Sequence, residues 1–165
     1  MQKLLTYFLL TLIILACKKE VKPDVIDDTS TQFVSFPNRP EIQNLNPEAQ
    51  AVLSKWPEFQ EFQNSFEVMY RAQNNEDLVL AIDDLLVKEK ALRDGTYPEE
   101  FDKLQIKSRQ KVLRTFLLKM RASLAEKTAI DEPIKQMLVA RNAFRDQFNI
   151  IVSNKLDTKL ILDEN

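Results

Sequence analysis

An all-α fold is predicted, about five helices in a small antiparallel bundle with a long C-terminal helical hairpin, and three features predict it. The chain is rich in Leu, Lys, Glu, Gln and Ala and holds a single glycine, Gly95, so helix propensity is high and tight turns are few. Apolar residues recur at spacings of three and four over most of residues 46–155. Prolines fall where helices begin rather than inside them.

The first helix begins at Asn46-Pro47, a capping amide followed by a proline whose missing N–H costs nothing at that position. Ala49, Val52, Leu53 and Trp56 share one face. Pro57 forces the preceding residue out of the helical region and restarts the pattern. The second helix, from Pro57 to about Gln73, carries Phe59, Phe62, Phe66, Met69 and Tyr70 as an apolar stripe. Such a stripe reads as core; any exposed part of Trp56, Phe59, Phe62, Phe66 and Tyr70 would be a candidate apolar groove.

Asn74 or Asn75 caps a third helix with Leu78, Ile82, Leu85, Leu86 and Leu92 on its face, ending at Asp94-Gly95, where glycine suits a left-handed turn. Thr96 and Glu99 have capping-box spacing. The fourth helix is expected from about Pro98 to Lys127 with a bend near Leu104, gathering Ile106, Leu113, Phe116, Leu117, Met120 and Leu124 on one side. Asp131 and Pro133 open the fifth, expected to reach about Lys155, with Ile134, Met137, Phe144, Phe148 and Ile151 along its seam. Arg141 interrupts that seam and calls for an acidic partner or an exit to solvent. Residues 156–165 read as a frayed tail in which Leu160, Ile161 and Leu162 pack locally.

Residues 17–45, with Pro23, Pro37 and Pro40 and no sustained period, read as an extended tether of 29 residues. Its flexible reach is about 30 Å. Phe33, Val34 and Phe36 are too apolar for an ideal linker and are expected to lie on the domain as a short strap.

Lys3, the apolar run Leu4 to Leu15, and Ala16-Cys17 supply the positive start, apolar core and small residues of an export signal. The run stops short of the roughly 20 residues that span a bilayer. Ile14-Leu15-Ala16-Cys17 resembles the bacterial lipobox. The resemblance covers residues 1–20 only; it implies cleavage after residue 16, lipidation of Cys17 and a mature chain of 149 residues, a single domain's worth. Bacterial lipoproteins carry two or three acyl chains, enough to hold a protein durably at a membrane. Lys18 stands where the retention signal of enteric lipoproteins has aspartate, which implies the outer membrane.

Composition narrows the chemistry. Histidine is absent, which removes the commonest general base and transition-metal ligand, and Cys17 is the only cysteine. One glycine rules out phosphate-cradling loops of the usual spacing. The adjacent pairs Asp83-Asp84 and Glu99-Glu100 point about 100° apart on a helix and do not by themselves form an acid–base pair. No calcium-loop spacing occurs. No cofactor or metal and no catalytic residue are expected.

Charge is the remaining signal. The mature chain has 22 basic and 25 acidic residues, net −3. Between Asn46 and Glu100 there are 5 basic and 12 acidic residues, and between Phe101 and Lys127 there are 8 and 2. Lys103, Lys107, Lys111, Arg114 and Arg121 fall on one side of the fourth helix as a basic stripe. It is either a solvated face neutralised by Asp83, Asp84 and Glu89, or a surface for an anionic envelope component or an acidic protein. Nucleic acid is not an expected partner, because the mature chain is net acidic and lacks a recognisable binding motif. The expectation is a lipid-anchored, non-enzymatic envelope protein that works by binding. A chaperone-like or inhibitor lipoprotein and, more remotely, a cell-wall or polysaccharide hydrolase are the alternatives.

Overall fold

A computed structural model describes residues 40–163, with side chains to Asn154. Cys17 and the Phe33, Val34 and Phe36 strap lie outside the described residues, as do the side chains of Leu160, Ile161 and Leu162. The described residues form five helices: α1 (Pro47–Leu53), α2 (Pro57–Met69), α3 (Asn75–Asp94), α4 (Leu104–Ala125) and α5 (Asp131–Asp163).

Local chemistry sets most of the boundaries. The Asn46 side chain accepts the Ala49 N–H at 2.8 Å and Asn74 accepts that of Asp77 at 2.8 Å. Trp56, ahead of Pro57, is extended at φ −105° and ψ 97°, which separates α1 from α2.

Several boundaries differ from expectation: the second helix ends at Met69, with Tyr70 as its C-cap, rather than at about Gln73. The fourth helix starts at Leu104, because residues 98–103 form a turn in which both Phe101 and Asp102 donate to the Pro98 carbonyl at 2.8 Å. The turn drops Phe101 fully into the core, against Phe148 at 4.7 Å between ring centroids. No Thr96–Glu99 capping bond forms among the described residues. The fifth helix continues to Asp163.

Gly95 is not left-handed: its φ of −80° is open to any residue. What it avoids is crowding, since a Cβ there would lie 3.0 Å from the Ala91 carbonyl oxygen and 3.3 Å from Glu58 Oε1. The left-handed turn comes instead after α4, at Lys127 with φ 51°. There Thr128 N–H reaches back to Ser123 O at 3.0 Å and Lys127 N–H to Leu124 O at 3.3 Å, the paired bonds of a Schellman stop.

Consecutive long helices pack antiparallel. Ser65 meets Asp84 while Glu61 meets Lys88 across α2 and α3, and Asp83 meets Arg121 while Glu89 meets Arg114 across α3 and α4. The helices α4 and α5 form the long hairpin, joined by Lys119 to Gln136 at 2.7 Å. Phe59, Phe101, Phe144 and Phe148 interlock at 4.7–6.4 Å between centroids. Tilted aromatic pairs of this kind contribute about 0.5–1.5 kcal/mol each beyond their buried area.

Residues 41–46, which the sequence reads mostly as tether, are fastened to α5. Asn142 donates to Glu41 O at 2.6 Å and accepts Gln43 N–H at 3.0 Å. Arg145 Nε donates to Gln43 O at 2.6 Å. Asn149 donates to Asn44 O at 2.7 Å and accepts Asn46 N–H at 2.9 Å. Spaced by three and four, these side chains line one helix face and read an extended main chain, while Leu45 packs on the core.

Candidate functional site

The basic stripe of α4 is largely consumed by intramolecular pairing. Lys107 pairs with Asp102 and stands 5.0 Å over the Tyr97 ring, Arg121 Nε meets Asp83 Oδ1 at 2.6 Å, and Arg114 pairs with Glu89. Lys103 and Lys111 remain exposed without an ion pair among the described residues. Two lysines are a much weaker lure for an anionic surface than five. Asp84, expected to help neutralise the stripe, instead accepts the Ser65 hydroxyl at 2.5 Å.

Glu89 is the centre of a polar network that the helical pattern alone does not disclose. It is fully buried. Its Oε1 accepts from Gln110 Nε2 at 3.0 Å, its Oε2 from Arg114, and Arg93 stands off at 3.9 Å. Gln110 Nε2 is also 3.2 Å from the Glu89 carbonyl, and Gln110 Oε1 accepts the Tyr97 hydroxyl. Burial, aided by the negative charges of Glu89 and Asp102, pushes the Tyr97 phenol up to about 12. The signal is present in the sequence: Glu89 falls on the apolar seam set by Ile82, Leu85 and Leu92, and Gln110 lies between Ile106 and Leu113.

The aromatic stripe is core, not groove. Trp56, Phe59, Phe62 and Phe66 are each at most 2 % exposed, and Tyr70 is half-buried. Arg141 does not reach solvent and makes no ion pair among the described residues. It is 3 % exposed, with Nη1 3.0 Å from the Tyr70 hydroxyl, Nη2 3.5 Å from Gln63 Oε1 and the guanidinium 4.1 Å above the Phe66 ring. Its Nε has no partner among the described residues. Burial lowers the Arg141 pKa, opposed by the Tyr70 interaction. Burial, with the positive charge of Arg141, also brings Arg145 down to about 10.

A cleft of about 530 Å³ opens where the α1–α2 junction meets the turn after α3. Val52, Trp56, Pro57, Tyr97 and Pro98 make its apolar wall, and Glu58, Glu99 and Glu100 with Lys55 its charged lining. The Trp56 and Tyr97 rings lie 5.0 Å apart. Trp56 is held there by the extended residue that Pro57 requires, and Tyr97 by its hydroxyl on Gln110. None of the three glutamates makes an ion pair among the described residues, and the buried Trp56 Nε1–H has no acceptor. By sequence, Glu99 and Glu100 fall on a helix, pointing apart, and Trp56 on an apolar face; their meeting depends on the turn at 98–103.

Among the described residues no group of three or more acidic or cysteine side chains is placed to hold a metal ion, and no helix is long and apolar enough to cross a membrane. Compared with protein-family profiles, curated proteins and solved structures, the chain matches none.

Proposed function

We propose that this chain is a lipid-anchored helical module of a bacterial envelope, non-enzymatic, that acts by binding another envelope component. The supporting observation is the lipobox-like run Ile14-Leu15-Ala16-Cys17, ahead of a packed bundle whose helices are cross-linked by ion pairs. An acylated Cys17 would hold the domain at the bilayer, and the strap at 41–46 would fix where the tether leaves it. Binding near a membrane then needs only a modest surface, since tethering raises the effective concentration of neighbours.

The test is membrane fractionation of a bacterial host with palmitate labelling. Wild type is expected in the membrane fraction carrying label, and Cys17→Ser unlabelled and either released or unprocessed. Wild-type protein that takes up no label and fractionates with the cytosol contradicts the reading.

A further inference from the structure

We infer that the cleft beside Trp56 is a docking site for a basic peptide segment of a partner protein, a lysine or arginine flanked by apolar residues. The inference rests on the binding-module reading and supplies its surface and partner class.

Charge is the first argument. Three carboxylates, Glu58, Glu99 and Glu100, face one ammonium, Lys55, in the cleft lining. Several other acids of these helices are paired within the bundle: Glu61 on Lys88, Asp83 on Arg121, Glu89 on Arg114 and Asp94 on Lys90. The cleft glutamates have no such partner among the described residues. A cation brought here would face unspent negative charge in a concave, partly apolar setting, where ion pairs are screened less than on an open surface.

Shape then favours a peptide over a bare ion. A volume of about 530 Å³ is far larger than one ammonium group needs and falls within the range of about 300–1,000 Å³ typical of ligand sites. The wall of Val52, Pro57, Tyr97 and Pro98 suits the aliphatic stem of a lysine or arginine, whose charged head would reach the glutamates. Two prolines and an aromatic pair make the wall stiff, so little ordering entropy is lost on occupation. Trp56, 2 % exposed, lies behind this wall with its ring 5.0 Å from that of Tyr97. The apolar residues that flank the cation would cover the wall beside the Trp56 ring, which a simple polyamine cannot do.

The chain has a single tryptophan, so its fluorescence reports this cleft directly. Purified full chain in detergent is titrated with a capped peptide of alternating arginine and leucine, with the matching glutamate–leucine peptide, and with spermine. Expected are a saturable tryptophan shift with the arginine peptide, weakened by salt, and none with the glutamate peptide. Glu99→Gln with Glu100→Gln should weaken binding about tenfold, the worth of two surface charge pairs, with the unfolding midpoint unchanged. An unmoved signal with the arginine peptide, equal affinity of the double variant, or spermine binding as tightly as the peptide would overturn the proposal. Failure of palmitate labelling would leave this titration untouched, so the two readings fail separately.

Discussion

Breaking the Glu89–Arg114 pair should cost very different amounts depending on which partner is removed. Glu89 is 0 % and Arg114 28 % exposed at the side chain. In Arg114→Met the carboxylate stays buried, keeping Gln110 at 3.0 Å and a distant Arg93 at 3.9 Å. An uncompensated buried charge costs about 3–5 kcal/mol, and a closer approach by Arg93 brings the expectation to the lower end, about 3 kcal/mol. In Glu89→Met the remaining groups are not stranded. Gln110 Nε2 keeps the residue 89 carbonyl at 3.2 Å, and Arg114 is close enough to solvent to turn outward. Loss of a charged hydrogen bond, about 1.5–3 kcal/mol, is partly offset by the added apolar burial, about 0.8 kcal/mol per methylene. The net expectation is a loss of about 1 kcal/mol. Urea unfolding followed by far-ultraviolet circular dichroism measures both, at unchanged denaturant slope. A Glu89→Met variant that loses as much stability as Arg114→Met, or more, refutes the assignment of the buried carboxylate as the demanding partner.

Two further predictions concern groups at the helix interfaces. Because the folded Tyr97 phenol is raised to about 12 from its ordinary 10, its contribution to stability is complete below about pH 10 and is lost as pH climbs through 12. Absorbance at the tyrosinate band should show a step near pH 12 that Tyr97→Phe lacks; no difference between the two titrations contradicts it. Arg141→Met gives up the Tyr70 bond and a cation–π contact of about 2 kcal/mol, but relieves a desolvation penalty of several kcal/mol. Its stability should lie within about 1 kcal/mol of wild type or above it, whereas Arg141→Ala adds a cavity and should fall about 2–5 kcal/mol lower. A loss above about 3 kcal/mol in Arg141→Met would show the guanidinium to be net stabilising.

The helix starts were legible because their causes are local. Asn46-Pro47, Pro57, Asn74 and Asp131 each act on the backbone within one turn, and the structure begins helices there. Features that depend on distant partners were not. The break before Leu104 lets Phe101 meet Phe148, 47 positions away in sequence, and the local pattern points only to a bend near Leu104, not to a break. The Schellman turn after α4 uses Lys127, a residue type without the signature of glycine. Residues 41–46 are recognised mostly through their main chain, so their side chains carry little pattern; the trace lies in α5, as Asn142, Arg145 and Asn149 on one face. Arg141 reads as a polar break in an apolar seam; Glu89 and Gln110 occupy such positions too, but their mutual satisfaction required the α3–α4 register. The cleft joins residues 52–58 to 96–100, and only the folded turn brings Glu99 and Glu100 to Trp56.

Envelope anchorage through Cys17 is tested most directly by the intact mass of the protein extracted from bacterial membranes. The account predicts a chain that begins at Cys17 and carries a diacylglyceryl thioether. A chain that retains residues 1–16 with a free thiol at Cys17 would contradict it.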